Sequence, residues 1–306
     1  MEEDRARVLK IVSAFIGVVL LLVSSFFIYK YFSSQEATVD FYTQLADLVV
    51  EVTKADGTID EEVVPDYSAV TEQYPGVVGW IKIPNNNVNY PVVQCADNDY
   101  YLTHNIQEVK DRRGAIYMDY RNDAVNLNSN TVVYGHNCYD GTMFSDLANY
   151  DNIEFYKKAP IIEFNTLNQR YYWKIYAVFI TNADEDEDNG YVFNYIYPHM
   201  DGLNFYGFIK EVNKRRLYET DVNIYETDKM LVLSTCVRNL DKAGNRADTR
   251  LVVLARALRY GESPLVDVEK AVVNPNPKYP QIYYDNNNME NPYKNDSKWY
   301  PQEVTE

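Results

Sequence analysis

Basic side chains are in short supply in this chain. Lysine and arginine number 29 against 45 aspartates and glutamates, a formal net charge of −16 and a pI near 4.7. Phosphate backbones are held by clustered cations, so this balance argues against nucleic acid as a partner. Cysteine is scarcer still. Three residues, Cys95, Cys138 and Cys236, cannot make a complete disulfide framework, so at least one thiol is free. Histidine also occurs three times, at His104, His136 and His199. These few thiols and imidazoles fall into no zinc-ligand spacing with the carboxylates. The acidic run Asp184 to Gly190 resembles a calcium loop, but Asn189 stands where an EF-hand needs glycine and Tyr195 where it needs a bidentate glutamate. No metal and no cofactor is expected.

Long apolar runs are equally few. Ile11 to Tyr29 is an uncharged stretch of the length that crosses a bilayer. Arg5, Arg7 and Lys10 precede it and Lys30 follows, which favours an inside N-terminus and an outside body. A cleaved signal peptide is the rival reading, but no small-x-small site follows Tyr29-Lys30-Tyr31-Phe32. The expectation is a cytoplasmic segment over 1–10, a retained single-pass type II anchor over 11–29 and an extracellular body at the cell membrane. The C-terminal part has no second such segment and is expected to be unanchored.

Tyrosine, by contrast, is abundant at 29 residues, which suits strands and surfaces that bind extended ligands. Val39, Tyr42, Leu45, Ala46, Val49 and Val50 recur at helical steps, so 30–76 reads as a helical stalk and connector. From Val77 the pattern changes to short apolar runs between turns. Strands are predicted over 79–84, 88–93, 115–118, 131–134, 161–165, 171–181, 231–236 and 251–258. Many short strands imply a mainly β fold, a closed barrel of about eight strands. One helical interval interrupts them, carried by Leu203, Tyr206, Phe208, Ile209 and Val212 and ending on Lys214-Arg215-Arg216, cations that suit a helix C-terminus. The main domain is placed at 77–260. Residues 261–306, rich in Asn, Pro and Tyr without apolar periodicity, read as a mobile tail.

The chemistry is carried by three short segments. Met230 to Cys236 reads as a buried strand ending on a thiol, and Arg250, fourteen positions after Cys236, opens the apolar run that would pair with it antiparallel. Thiol and guanidinium would then face each other at one end of a ladder. His136 follows the strand Thr131 to Tyr134 in the turn-like Tyr134-Gly135-His136-Asn137. A nucleophile, a proton carrier and an anion stabiliser suit acyl transfer through a thioester. A lone cysteine is more often a small buried hydrophobe, the reading given to Cys95 and Cys138. His104 and His199 read as surface polar residues.

These segments, with Gly79-Trp80-Ile81-Lys82-Ile83-Pro84 and Asp97-Asn98-Asp99-Tyr100-Tyr101-Leu102, resemble the sortases, and most of all class B. These are membrane-anchored cysteine transpeptidases of Gram-positive bacteria. The resemblance covers about Val77 to Leu258 and implies the sortase-type barrel with an N-terminal helix and a helix-bearing insertion between late strands. It implies His136, Cys236 and Arg250 as catalytic residues, and cleavage of a C-terminal sorting signal of the Leu-Pro-x-Thr-Gly or Asn-Pro-x-Thr type on surface proteins. The acceptor would be a peptidoglycan precursor amine or a pilin lysine. Substrate contacts are expected from Ser234 and Thr235, and from Tyr191, Phe193 and Tyr195, which alternate in the insertion. The Cys-to-Arg spacing is longer than in many relatives, leaving Arg246 as a competitor of Arg250. A secreted cysteine hydrolase, a non-catalytic wall-binding module and a pilus-assembling enzyme are the rival functions.

Overall fold

The computed structural model describes residues 1–238, 240–241 and 247–302. The chain divides into two units, Met1–Leu45 and Ala46–Glu306. The first is helical, part of α1 (Glu2–Asp47), with its large apolar side chains from Val8 to Phe32 exposed. The helix ends well before the expected limit of the stalk. Beyond Asp47, isolated bridges pair Val50 with Asp66 and Thr53 with Ile59, so the connector is a loose hairpin closed around the Asp56-Gly57 turn.

Eight strands close into a ring in the second unit: β1 (Val77–Lys82), β2 (Asn89–Val93), β3 (Tyr117–Met118), β4 (Asn130–Tyr134), β5 (Ile161–Thr166), β6 (Tyr172–Asn182), β8 (Met230–Val237) and β9 (Thr249–Ala257). Their order around the barrel is β1-β2-β3-β4-β8-β9-β6-β5. The pairs β2–β3 and β4–β8 are parallel and the others antiparallel. Every side chain of β8 is buried except the half-exposed Cys236. That agrees with its unbroken apolar sequence, because a strand covered on both faces has no reason to alternate. Short helices α2 (Ser68–Thr71), α3 (Tyr100–Thr103) and α4 (Ile153–Lys158) fill the connections.

Between β6 and β8 lies the insertion, with α5 (Gly202–Arg215) and β7 (Tyr218–Glu219). The helix presents a different face from the one read in the sequence. Leu203 and Tyr206 are exposed, while Phe205, Phe208, Glu211, Val212 and Arg215 are buried. The buried face contains its own ion pair, Arg215 to Glu211 at 2.6 Å, a polar insertion that an apolar-stripe reading passes over.

Residues 261–302 correct a second expectation. They are laid down on the insertion: β10 (Val272–Val273) pairs with β7, α6 (Gln281–Asn286) follows, and Trp299 packs against the insertion's aromatic cluster. The segment is held by rings and side-chain hydrogen bonds at irregular intervals, including Tyr279 stacked on Tyr283 at 4.0 Å, so it carries no period to read.

Candidate active site

The groove is framed by the C-terminal ends of β4 and β8, the start of β9, and the loop around α3. It is lined by Asn98, Leu102, Tyr117, His136, Cys236 and Arg250, among others. Cys236 and Arg250 are direct register partners across the β8–β9 ladder. On the other side of β8, the parallel neighbour β4 runs to Tyr134, opposite Ser234, and His136 follows two residues beyond. One strand thus brings all three groups to the same rim.

Local chemistry fixes each of them. A Cβ on residue 135 would lie 2.4 Å from the Ile116 Cδ1 and 2.8 Å from the Phe144 ring, so glycine lets the backbone before His136 pass close against these two side chains. Thr235 Oγ1–H donates to the Gly135 carbonyl at 2.7 Å, and Asn137 Nδ2–H donates to the Cys236 carbonyl at 2.9 Å, tying this turn to β8. His136 Nε2 is 2.8 Å from the Leu102 carbonyl. A carbonyl only accepts, so Nε2 carries the hydrogen and Nδ1 is left to exchange a proton with the groove.

Arg250 is half-buried; its guanidinium donates to the Asp248 carboxylate and, at 3.2 Å, to the Thr249 carbonyl. Burial disfavours its charge, but Asp248 and Cys236 nearby more than offset this, and its pKa is raised. Asp248 in turn has its backbone N–H bound by Glu187. Burial pushes the Glu187 carboxyl above the usual range. Neither acid was read from the sequence as part of the catalytic site, since Glu187 lies in a short 3-10 helix and Asp248 just before β9, and only the fold brings them to Arg250.

Ser234 and Thr235 border the groove, but both hydroxyls are engaged inside the protein, Ser234 with the Tyr195 hydroxyl at 2.9 Å. Tyr191, Phe193 and Tyr195 correct the sequence reading. All three are buried in the aromatic cluster of α5, β6 and β8, because their alternation turns them toward the core and away from the groove. Tyr195 still reaches the site's underside through Ser234. Arg246 lies outside the described residues. Arg256 is buried at the far end of β9, bound to Glu262.

The sortase domain profile matches residues 81–258, more than half of the chain and the whole stretch that forms this groove. The chain belongs to the sortase family. Sortase B of Staphylococcus aureus (strain NCTC 8325 / PS 47) is 32% identical over 200 residues, which are 65% of this chain and 77% of that protein. Among solved structures, sortase B from Bacillus anthracis in complex with AAEK1 superposes with a TM-score of 0.60 at 27% identity, covering 74% of this chain and 99% of that one. The Staphylococcus aureus sortase B–substrate complex gives a TM-score of 0.55 at 32% identity, over 62% of this chain and 83% of that one. This sortase is therefore a cysteine transpeptidase of surface-protein processing, with class B relatives.

The other thiols of this sortase are differently placed. Burial pushes the Cys138 thiol up to about 11, despite a hydrogen bond from Thr142 that opposes the shift. At pH 7 to 9 it is protonated, and the thiolate is the nucleophile. A short iodoacetamide pulse at pH 8, read by peptide mass, is expected to leave Cys138 unmodified; prompt labelling there would contradict its raised pKa.

Proposed function

We propose that this sortase is anchored by the apolar part of α1 and joins surface proteins bearing a C-terminal sorting signal to a cell-wall precursor amine, with Cys236, His136 and Arg250 as its catalytic residues. The reading is carried by one observation: Cys236 and Arg250 are register partners, and the turn holding His136 is bonded to the same strand end. The Cys236 thiolate attacks the carbonyl carbon of the signal's threonine, and the oxyanion that forms is stabilised by the Arg250 guanidinium. As the threonyl amide bond breaks, the leaving amine takes a proton from Nδ1 of His136. The acyl group is then a thioester on Cys236. An incoming amine gives its proton to His136, attacks the thioester and releases the thiolate, so atoms and charge return to the starting state.

Residues 11–29 of α1 supply the roughly 20 apolar positions that a bilayer core requires, and the cations at Arg5, Arg7 and Lys10 favour a cytoplasmic N-terminus. The catalytic unit is then on the outer side of the membrane.

The test is product analysis. Purified protein is incubated with peptides of the Leu-Pro-x-Thr-Gly and Asn-Pro-x-Thr types, with and without an amine acceptor such as triglycine. Amide-linked product in its presence, and slow hydrolysis in its absence, are expected. Hydrolysis at equal rate with no transfer would make the protein a hydrolase, and a groove that cleaves neither peptide would sink the reading.

A further inference from the structure

The residues beyond the matched family domain are built into the insertion that backs the active site. The contacts are specific and mostly half-buried. Trp299 sits edge-on to Phe193 at 5.8 Å and beside Phe208 at 6.0 Å. It is received at Gly207, where a Cβ would come within 2.1 Å of the indole nitrogen, so the helix carries glycine where the indole seats. One residue further on is Tyr300, and at Gln302 the backbone exchanges two hydrogen bonds with the Asn204 side chain, at 2.7 and 2.9 Å. Asp296 accepts from Lys214 at 2.7 Å and from Lys278 at 3.2 Å, and Lys214 and Arg215 both hold Glu211. The Arg215 guanidinium in turn lies 4.3 Å over the Phe193 ring.

The places where this segment grips the insertion matter more than their number. Among the described residues, the insertion reaches the catalytic rim through two side chains, Glu187 at the backbone of Asp248 and Tyr195 at the hydroxyl of Ser234. The C-terminal segment holds the residues next to both. Gln281 N–H donates to Asp188 at 2.9 Å, and Lys298 donates to the Asn189 carbonyl at 2.8 Å. Tyr191 O–H donates to the Trp299 carbonyl at 2.9 Å, and Phe193 meets the indole edge-on. Each lever on the site has a clamp within two residues of it.

We propose that residues 274–302 are an intramolecular clasp that positions the β6–β8 insertion and so sets which sorting peptide the Cys236 groove accepts. Trp299 is its principal positioning residue. The proposal rests on the function proposed above only for the identity of the ligand. The mechanical part stands on the contacts alone. A loop released at Asp188 and Phe193 loses the constraint that keeps Glu187 and Tyr195 in place, and interactions made through a loosened wall discriminate poorly between peptides.

The full-length protein tests this with Trp299→Ala, Trp299→Phe and Asp296→Asn. Backbone amide exchange over 185–197 is expected to speed up at least tenfold in Trp299→Ala while β4 and β9 keep their protection. The ratio of kcat/KM between the two peptide types is expected to change at least fivefold, and Trp299→Phe to restore both readouts. Asp296→Asn, which keeps the indole seated, is expected to shift both in the same direction by less, and it carries the test if Trp299→Ala does not fold. Unchanged exchange over 185–197 overturns the clasp. Faster exchange with an unchanged peptide ratio overturns its role in selection and leaves a merely stabilising segment. If the wild type cleaves neither peptide, the functional reading fails by itself, and exchange alone then decides the clasp.

Discussion

Replacing Cys236 by alanine is expected to abolish thioester formation and transfer, with a loss of at least about a thousandfold in turnover. Among the described residues, the rim offers no other thiol and no uncommitted serine or threonine hydroxyl in its place. The neighbouring hydroxyls of Ser234 and Thr235 are committed to Tyr195 and to the Gly135 carbonyl. The fold should survive. Cys236 is half-exposed, and the bond that ties the His136 turn to β8 is accepted by its backbone carbonyl, which alanine keeps. Losing one sulfur from a partly open position costs roughly 1 kcal/mol or less. The checks are peptide turnover beside a thermal melt followed by circular dichroism. Cys95→Ala and Cys138→Ala serve as controls that keep most activity. Near-normal turnover in Cys236→Ala would remove the thiol from the mechanism.

What the sequence made legible here was local. β8 ends on Cys236 and β9 opens near Arg250, and in an antiparallel pair the end of one strand meets the start of the next, so their pairing follows without knowledge of the rest. All eight barrel strands announce themselves as apolar runs between turns. The parallel contact of β4 with β8, which joins His136 to them, spans about a hundred residues and leaves no local trace; only the resemblance of the Tyr134 to Asn137 segment anticipated it.

The misreadings have physical causes too. Tyr191, Phe193 and Tyr195 do lie on one face, as their spacing requires. A period of two cannot say whether that face meets substrate or core, and here α5 and Trp299 cover it. The C-terminal segment is ordered by single anchors, an indole in a glycine notch and a shared carboxylate at Asp296, and composition weighs such anchors at nothing. Asp248 and Glu187 are ordinary acids until folding brings them to the guanidinium of Arg250.

Arg250→Ala is expected to lower kcat by a hundredfold or more while leaving the melting temperature nearly unchanged. A charged donor lost from an oxyanion costs roughly 3 kcal/mol at the transition state. Arg250 is the cation that β9 places opposite Cys236, and Asp248 fixes its fork from the strand's outer side. Lysine should not rescue it. An ammonium gathers its three donors at one nitrogen, so one held by Asp248 and Thr249 cannot also place a donor where the other nitrogens of the planar guanidinium present theirs. Asp248→Asn keeps the Arg250 guanidinium and loosens its aim, so a smaller loss in kcat is expected there, with substrate affinity little changed. Arg256→Ala gives the opposite pattern. That side chain is buried against Glu262 six residues along β9, and its removal leaves a carboxylate with fewer partners, which lowers stability and leaves per-molecule turnover intact. Normal kcat in a well-folded Arg250→Ala protein would show that the charge facing the thiol is not the one that stabilises the oxyanion, and would move that role to another donor of the rim.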